Sequence, residues 1–368
     1  MFRLTVINRS LPKAVLMTTF IACLAVVFVL PHHANAIGFA ANDIYVAHVA
    51  DGSDGFSMGS WSAYTGPDHD VGPFKDLLYA ESGSGGSLDQ TTNFSSLRVY
   101  TGGGPVDYTF GGNGFGIDLD PFFTGDGASP LAPAGQGFRT TWSVTPESLG
   151  IIQDVLVVPP PAGDSVANSA IYHTVEITNT DLIQAVEIGW RNLYDWQVDD
   201  PGTDDGPNNE VENSGSGVVV PATTFEFSHT PTAGDFARVS IDPGAASYEP
   251  LLAIGFDPGF RPDLPVTVPD EYAYVSWPDS LDTPFDYTVT PTLDVTGDSA
   301  GLSWFGRDAA RAITIAPGGS VRFTQVLFGV VPDAPPPAAI PEPGTLLLFV
   351  LGLLGVFTYG WYRRKHAV

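Results

Sequence analysis

The sequence predicts an all-β protein, a large antiparallel β-sandwich with a targeting segment at each end. Three features lead there. Gly (41) and Pro (32) punctuate the 368-residue chain, and Asp far outnumbers Glu, a bias towards turns and away from helices. No window of twelve or more residues in the central part carries a helical apolar stripe. Short apolar runs instead recur between Gly, Pro, Asp and Asn clusters, and 12% aromatic residues supply a packed core.

Residues 1–36 have the layout of a secretory signal peptide, which implies a helix that is cut off during export through the Sec translocon. Arg3, Arg9 and Lys13 precede an apolar stretch from Ala14 to Leu30. Pro31 then ends the helix, and Ala34-Asn35-Ala36 forms the small-residue cleavage site, with Ala34 and Ala36 as its recognition residues. Cys23 lies inside that stretch, so the mature chain has no cysteine. Disulfides, thiolate metal sites and cysteine nucleophiles drop out with it.

Residues 37–331 form the extracytoplasmic body. Strands are expected at Ile44–Val49, Leu97–Tyr100, Val106–Phe110, Arg139–Val144, Ile151–Val158, Ile171–Thr178 and Ala185–Arg191. Further along they are expected at Arg238–Ile241, Leu251–Phe256, Tyr272–Trp277, Phe285–Leu293, Ala312–Ile315 and Val321–Val330. Val321-Arg322-Phe323-Thr324-Gln325-Val326 alternates with period two, the mark of a strand with one wet face. Many short strands argue for one large sandwich, or two subdomains with a seam near Pro159-Pro160-Pro161.

Residues 332–344 are a Pro-rich, semi-rigid spacer. Residues 345–362 carry no charge, and as a helix would be about 27 Å long, enough to cross a bilayer core. Arg363, Arg364 and Lys365 follow within a basic tail, residues 363–368, and such cations stay on the cytoplasmic side. Both ends therefore give one topology, with the body outside.

The ordered set Pro341-Glu342-Pro343, single span and Arg-rich end closely resembles the PEP-CTERM sorting signal. The resemblance implies recognition of Pro341, Glu342 and Pro343 by an exosortase, a membrane protease that cuts near the triplet. It implies an inner-membrane-anchored precursor and then a place on the cell surface or in the extracellular matrix of a Gram-negative bacterium that makes exopolysaccharide. A looser resemblance covers Val175–Asp200, where some PEP-CTERM proteins end a strand in Arg-x-x-x-Asp-Trp-Asp. Arg191, Asp195 and Trp196 fit, and Gln197 stands in place of the last acid.

Between the two targeting segments the body holds nine Lys and Arg against forty Asp and Glu, a net of −31. Such a surface repels phosphate backbones, which argues against nucleic acid as a partner. The densest acid cluster supplies Asp199, Asp200, Asp204, Asp205 and Glu210 as a candidate calcium site, since flexible loops of oxygen ligands suit Ca²⁺. Gly55-Phe56-Ser57-Met58-Gly59 matches the nucleophile-elbow pattern but lacks the following helix, so it reads as a turn. Asp118 and Asp120 share a strand face, and His48, His69, His173 and His229 are scattered without metal-ligand spacing. Tyr194 and Trp196 could stack on sugar rings, but their surroundings read as core.

The expectation is a non-catalytic surface or matrix protein associated with exopolysaccharide. The alternative is an exported glycan hydrolase using a carboxylate pair, or a calcium-dependent carbohydrate-binding protein.

Overall fold

The computed structural model describes residues 36–330 with gaps, the longer ones being 50–59, 67–75, 111–122, 131–136, 159–169, 198–207, 241–248 and 256–265. In chain order the strands begin with β1 (Ala36–Ala41), β2 (Ile44–Val49), β3 (Trp61–Thr65), β4 (Asp76–Leu78), β5 (Ala80–Ser82) and β6 (Leu88–Thr91). There follow β7 (Phe94–Thr101), β8 (Gly104–Phe110), β9 (Phe123–Pro130), β10 (Gly137–Val144), β11 (Leu149–Val158) and β12 (Ala170–Asn179). Then come β13 (Val186–Trp196), β14 (Asn208–Asn213), β15 (Gly217–Thr223), β16 (Phe227–His229), β17 (Asp235–Ser240) and β18 (Glu249–Gly255). The last are β19 (Glu271–Ser276), a one-turn helix α1 (Trp277–Leu281), β20 (Ser299–Phe305), β21 (Ile313–Ile315) and β22 (Ser320–Val330).

Two large sheets hold nearly all of these. The first runs β1-β2-β3-β4-β13-β20-β19-β16, with β7 and β21 also on β13 and β8 on β7. The second runs β15-β14-β17-β18-β22-β12-β11-β10-β9. The central ladders are antiparallel, so neighbouring strands alternate inward and outward side chains in step. The sandwich expected from the sequence is therefore present. β11 and β12 pair with each other from Leu149↔Asn179 to Val158↔Ala170, so the strands before and after residues 159–169 belong to one sheet, and Pro159-Pro160-Pro161 lie outside the described residues.

Long β13 explains how the first sheet is organised. Ile188, Trp190, Tyr194 and Trp196 point into the sandwich, where they join two separate apolar clusters. Leu193 points the other way, into a third cluster with Phe94, Ala273, Val275, Leu302 and Trp304. That outer cluster is closed by Phe285, Tyr287 and Val289.

This last segment corrects one expectation. Phe285–Leu293 reads as a strand and keeps the period-two alternation, with Phe285 and Tyr287 buried and Asp286 and Thr288 exposed. It is not a strand of either sheet. It crosses the face of the first sheet as a strap, so its alternation records burial against a sheet and not pairing within one. β20 is a strand that the sequence does not announce. All seven of its residues are buried, between the sandwich core and the strap, so it lacks the wet face that marks a strand in sequence.

Among the described residues no helix is long and apolar enough to cross a membrane. Residues 1–35 of the signal segment and residues 345–362 lie outside the described residues.

Candidate functional site

The positions singled out in the sequence fall into three groups. Ala34, Ser57, His69, Asp118, Asp120, Asp199, Asp200, Asp204 and Asp205 lie outside the described residues, as do Pro341, Glu342, Pro343, Arg363, Arg364 and Lys365. Ala36 opens β1, paired with Val49. Glu210 lies on β14, its carboxylate 3.8 Å from Arg238, which is also 3.4 Å from Glu212. Among the described residues no group of three or more His, Cys, Asp or Glu is placed to hold a metal ion. Tyr194 and Trp196 are core side chains, and His229 bonds Asp235 at 2.9 Å.

The concentration of polar groups that sequence reasoning did not find lies inside the sandwich. On the second sheet Thr140 pairs with Gln153, and His173 pairs with Gln325. On the first sheet Asn192 pairs with both Ser95 and Ser303. All seven are buried, and they form a layer between the two apolar clusters of the sandwich. On one side are Phe138, Val155, Ile171, Tyr194 and Leu327; on the other are Trp142, Ile151, Val175, Trp190 and Phe323.

The bonding in this layer can be assigned from one fixed point. The Trp190 indole only donates, and it donates to Asn192 Oδ1 at 2.7 Å. Asn192 Nδ2 must then donate to Gln325 Oε1, at 2.7 Å, and Gln325 Nε2 donates to Ser303 Oγ at 2.9 Å. The Tyr194 hydroxyl, 2.8 Å from the same Gln325 oxygen, donates there. Its single proton is used, so it accepts from His173 Nδ1–H, 2.9 Å away. Burial pushes the His173 pKa down to about 3, so the ring is neutral and Nε2 carries a lone pair. The Gln153 amide meets Nε2 at 3.1 Å, and its two ends are alike in shape, so the end facing the ring must be NH₂. Seven side chains from five strands thus settle one another's orientation.

A second polar constellation lies on the outer face of the first sheet, beneath the strap. Arg98 forms a two-pronged bond with Asp107 at 2.7 Å, bonds Asp286 at 2.8 Å and stacks over Phe285 at 4.4 Å. Arg307 donates to the Tyr287 carbonyl, pairs with Glu271 and stacks over Trp304 at 4.1 Å. Buried Arg191 donates to the Thr283 carbonyl at 2.8 Å, with no carboxylate at bonding distance among the described residues, and burial pulls its pKa down to about 9. Buried Glu226 completes the clamp, accepting from Ser276 N at 2.8 Å, Thr290 N at 2.6 Å and the Tyr287 hydroxyl. Arg191 belongs to the Arg-x-x-x-Asp-Trp stretch noted in the sequence for its likeness to some PEP-CTERM proteins, and it lies on this face. Its role there is to hold the strap.

The inner layer is bonded across the two sheets, although buried Thr140 Oγ1 has no partner among the described residues, and the outer constellation is covered by chain. Catalytic or ligand-binding chemistry does not follow from either. The signal that does specify a process lies at the C-terminal end, where residues 339–365 match the model of the PEP-CTERM protein-sorting motif.

The chain carries a PEP-CTERM motif.

A PEP-CTERM motif marks an exported protein that is held in the membrane and then processed, so the expected resemblance stands for the C-terminal region. No curated protein matches the chain. Solved structures that resemble it include a galactose mutarotase related enzyme from Lactobacillus acidophilus, at 10% identity and a TM-score of 0.42, covering 80% of this chain and 97% of that one. A polysaccharide lyase gives 8% identity and a TM-score of 0.37, covering 79% of this chain and 33% of its own. An alpha-galactosidase from Lactobacillus brevis gives 10% and 0.39, covering 80% and 39%. This PEP-CTERM chain thus spans well under half of the latter two proteins. At these scores the likenesses carry no argument about activity.

Proposed function

We propose that this is a non-catalytic protein of the cell surface or extracellular matrix, delivered by its C-terminal signal and associated with exopolysaccharide. The observation that carries the reading is the sorting motif at residues 339–365. An inner-membrane-anchored precursor is cut near Pro341-Glu342-Pro343 by an exosortase-type protease. The Pro-rich spacer, residues 332–344, keeps the cleavage site clear of the folded body.

The body's charge shapes what it does next. A net of −31 on residues 36–340 keeps it soluble and repels anionic polymer, unless divalent cations bridge the two. Asp199, Asp200, Asp204, Asp205 and Glu210 are the candidate residues for such bridging by calcium, Glu210 also lying 3.8 Å from Arg238. A Ca²⁺ titration that leaves the melting temperature unchanged would remove the bridging mechanism.

The intact mass of the protein recovered from the surface of its native host tests the sorting reading. A mass running from Ile37 to near Pro341 supports it. A mass that retains Arg363–Val368 makes the tail a permanent anchor and overturns it. Polysaccharide hydrolysis abolished by changing a single Asp or Glu would overturn the non-catalytic reading.

A further inference from the structure

The free edge of the second sheet differs from the rest of this acidic body. Among the described residues β15 ends that sheet and pairs with β14 alone, through Asn213↔Gly217, Glu212↔Val218 and Val211↔Val220. Asn213 to Phe225 contains no charged residue, and three of its apolar side chains are exposed: Val218 (58%), Val219 (42%) and Phe225 (45%). Edge strands are commonly protected by lysine, acid or proline, because their outward N–H and C=O groups template further pairing. Here Pro221 is the one such residue in the strand, which leaves Gly217–Val220 open.

We propose that this edge is a self-association surface, on which a second copy of the chain adds its own β15 antiparallel about a two-fold axis. The argument for a second copy is electrostatic. Two bodies of net −31 repel over most of their surfaces, and a contact must form where neither brings an acid. β15 supplies an uncharged strand to both sides. On the neighbouring β14, Glu210 and Glu212 are partly neutralised by Arg238 at 3.8 and 3.4 Å, and Asp294, bridged to Phe225, lies past Pro221, outside Gly217–Val220. A two-fold arrangement makes the patch its own complement, as closed dimers require. Pairing of Gly217–Val220 with its copy would satisfy the open backbone groups, shelter Val218 and Val219, and join two nine-stranded sheets into one. Pro221, having no N–H, would end the ladder.

Two consequences separate this from nonspecific stickiness. Added salt should strengthen the association, because it screens the repulsion between acidic bodies and leaves the neutral strand contact intact. Val219→Glu should weaken it by tenfold or more, since the two-fold axis brings the two new carboxylates close together.

The test uses the full chain in its native host with Cys23→Ala and Val218→Cys, so that position 218 carries the only thiol. After mild oxidation, a species of twice the chain mass that vanishes on reduction is expected. Val268→Cys, exposed to a similar degree (41%) away from this edge, should not give it. Sedimentation of the purified protein at low and high salt, with and without Val219→Glu, supplies the second readout. A monomer at every concentration and salt, equal cross-linking at position 268, or a disulfide to a different protein would overturn the proposal.

Discussion

His173 Nδ1 and the Tyr194 hydroxyl lie 2.9 Å apart, although their strands belong to opposite sheets. This bond and that of Tyr194 to Gln325 are struts across a sandwich interior that is otherwise apolar above and below them. A buried polar layer of this kind restricts how the two sheets can register, because any slip leaves donors and acceptors unpaired.

Acid should act through His173. Its folded pKa, about 3, is below its unfolded value, so the unfolded chain binds the proton first as pH falls. Stability is therefore intact above pH ~6.5 and declines by about 1.4 kcal/mol per pH unit down to pH ~3. Asp235 adds in the same direction: although burial opposes it, bonds from His229, Asn213 and Thr232 hold its carboxyl below the usual range. His173→Gln, followed by thermal melting from pH 7 to 4, should leave a clearly shallower slope. An unchanged slope would show that His173 is not the group being titrated.

The proton on His173 should sit on Nδ1. The assignment runs from the Trp190 indole through Asn192, Gln325 and Tyr194. Nitrogen-15 shifts of the ring at neutral pH should show a protonated Nδ1 and a bare Nε2. Trp190→Phe removes the anchoring donor, and the ring shifts should then broaden or move. The opposite tautomer in the parent would mean that Gln153 accepts from the ring.

Glu226 should matter for stability despite lying outside any reactive site. Glu226→Ala strips three donors, at Ser276, Tyr287 and Thr290, of their acceptor and should cost about 3 kcal/mol or more. Glu226→Gln keeps one acceptor oxygen and should cost less. Denaturant titration of both variants checks the order, and hydrogen exchange should place the loosening in the strap.

At Arg191, shape should count for more than charge. Arg191→Ala loses the bond to Thr283 and leaves a void, at a cost of about 3 kcal/mol. Arg191→Met fills the space without burying a cation and should stay within about 1 kcal/mol of the parent. If Met proves as costly as Ala in denaturant titration, the field of Asp107 and Asp286 on the cation is what stabilises.

Strands with one apolar face are legible in the sequence. Ile44–Val49 coincides with β2, and the β11, β12 and β22 expectations fall within a residue or two of the observed ends. Failures come where the environment departs from one face wet and one face dry. β20 is buried on both faces, and Phe285–Leu293 alternates without a partner strand. Gln325 shows the same limit within a correctly placed strand. It is polar but stands in phase with apolar Val321 and Phe323, so it points inward with Phe323, while Thr324, in phase with exposed Arg322, is buried on the opposite face.

By itself the sequence determined the all-β class and the C-terminal sorting motif, because both are written in neighbouring residues: turn formers between short apolar runs, and a Pro-Glu-Pro triplet before an uncharged span and cations. Only the tertiary structure decided which polar residues meet. His173 and Gln325 lie far apart in the chain, as do Ser95 and Asn192, and each is polar at a position where a core residue is the default. A lone polar side chain at an inward position is costly, and a bonded one is not. Whether the partner is present depends on strand order and register across two sheets, and no local pattern encodes those.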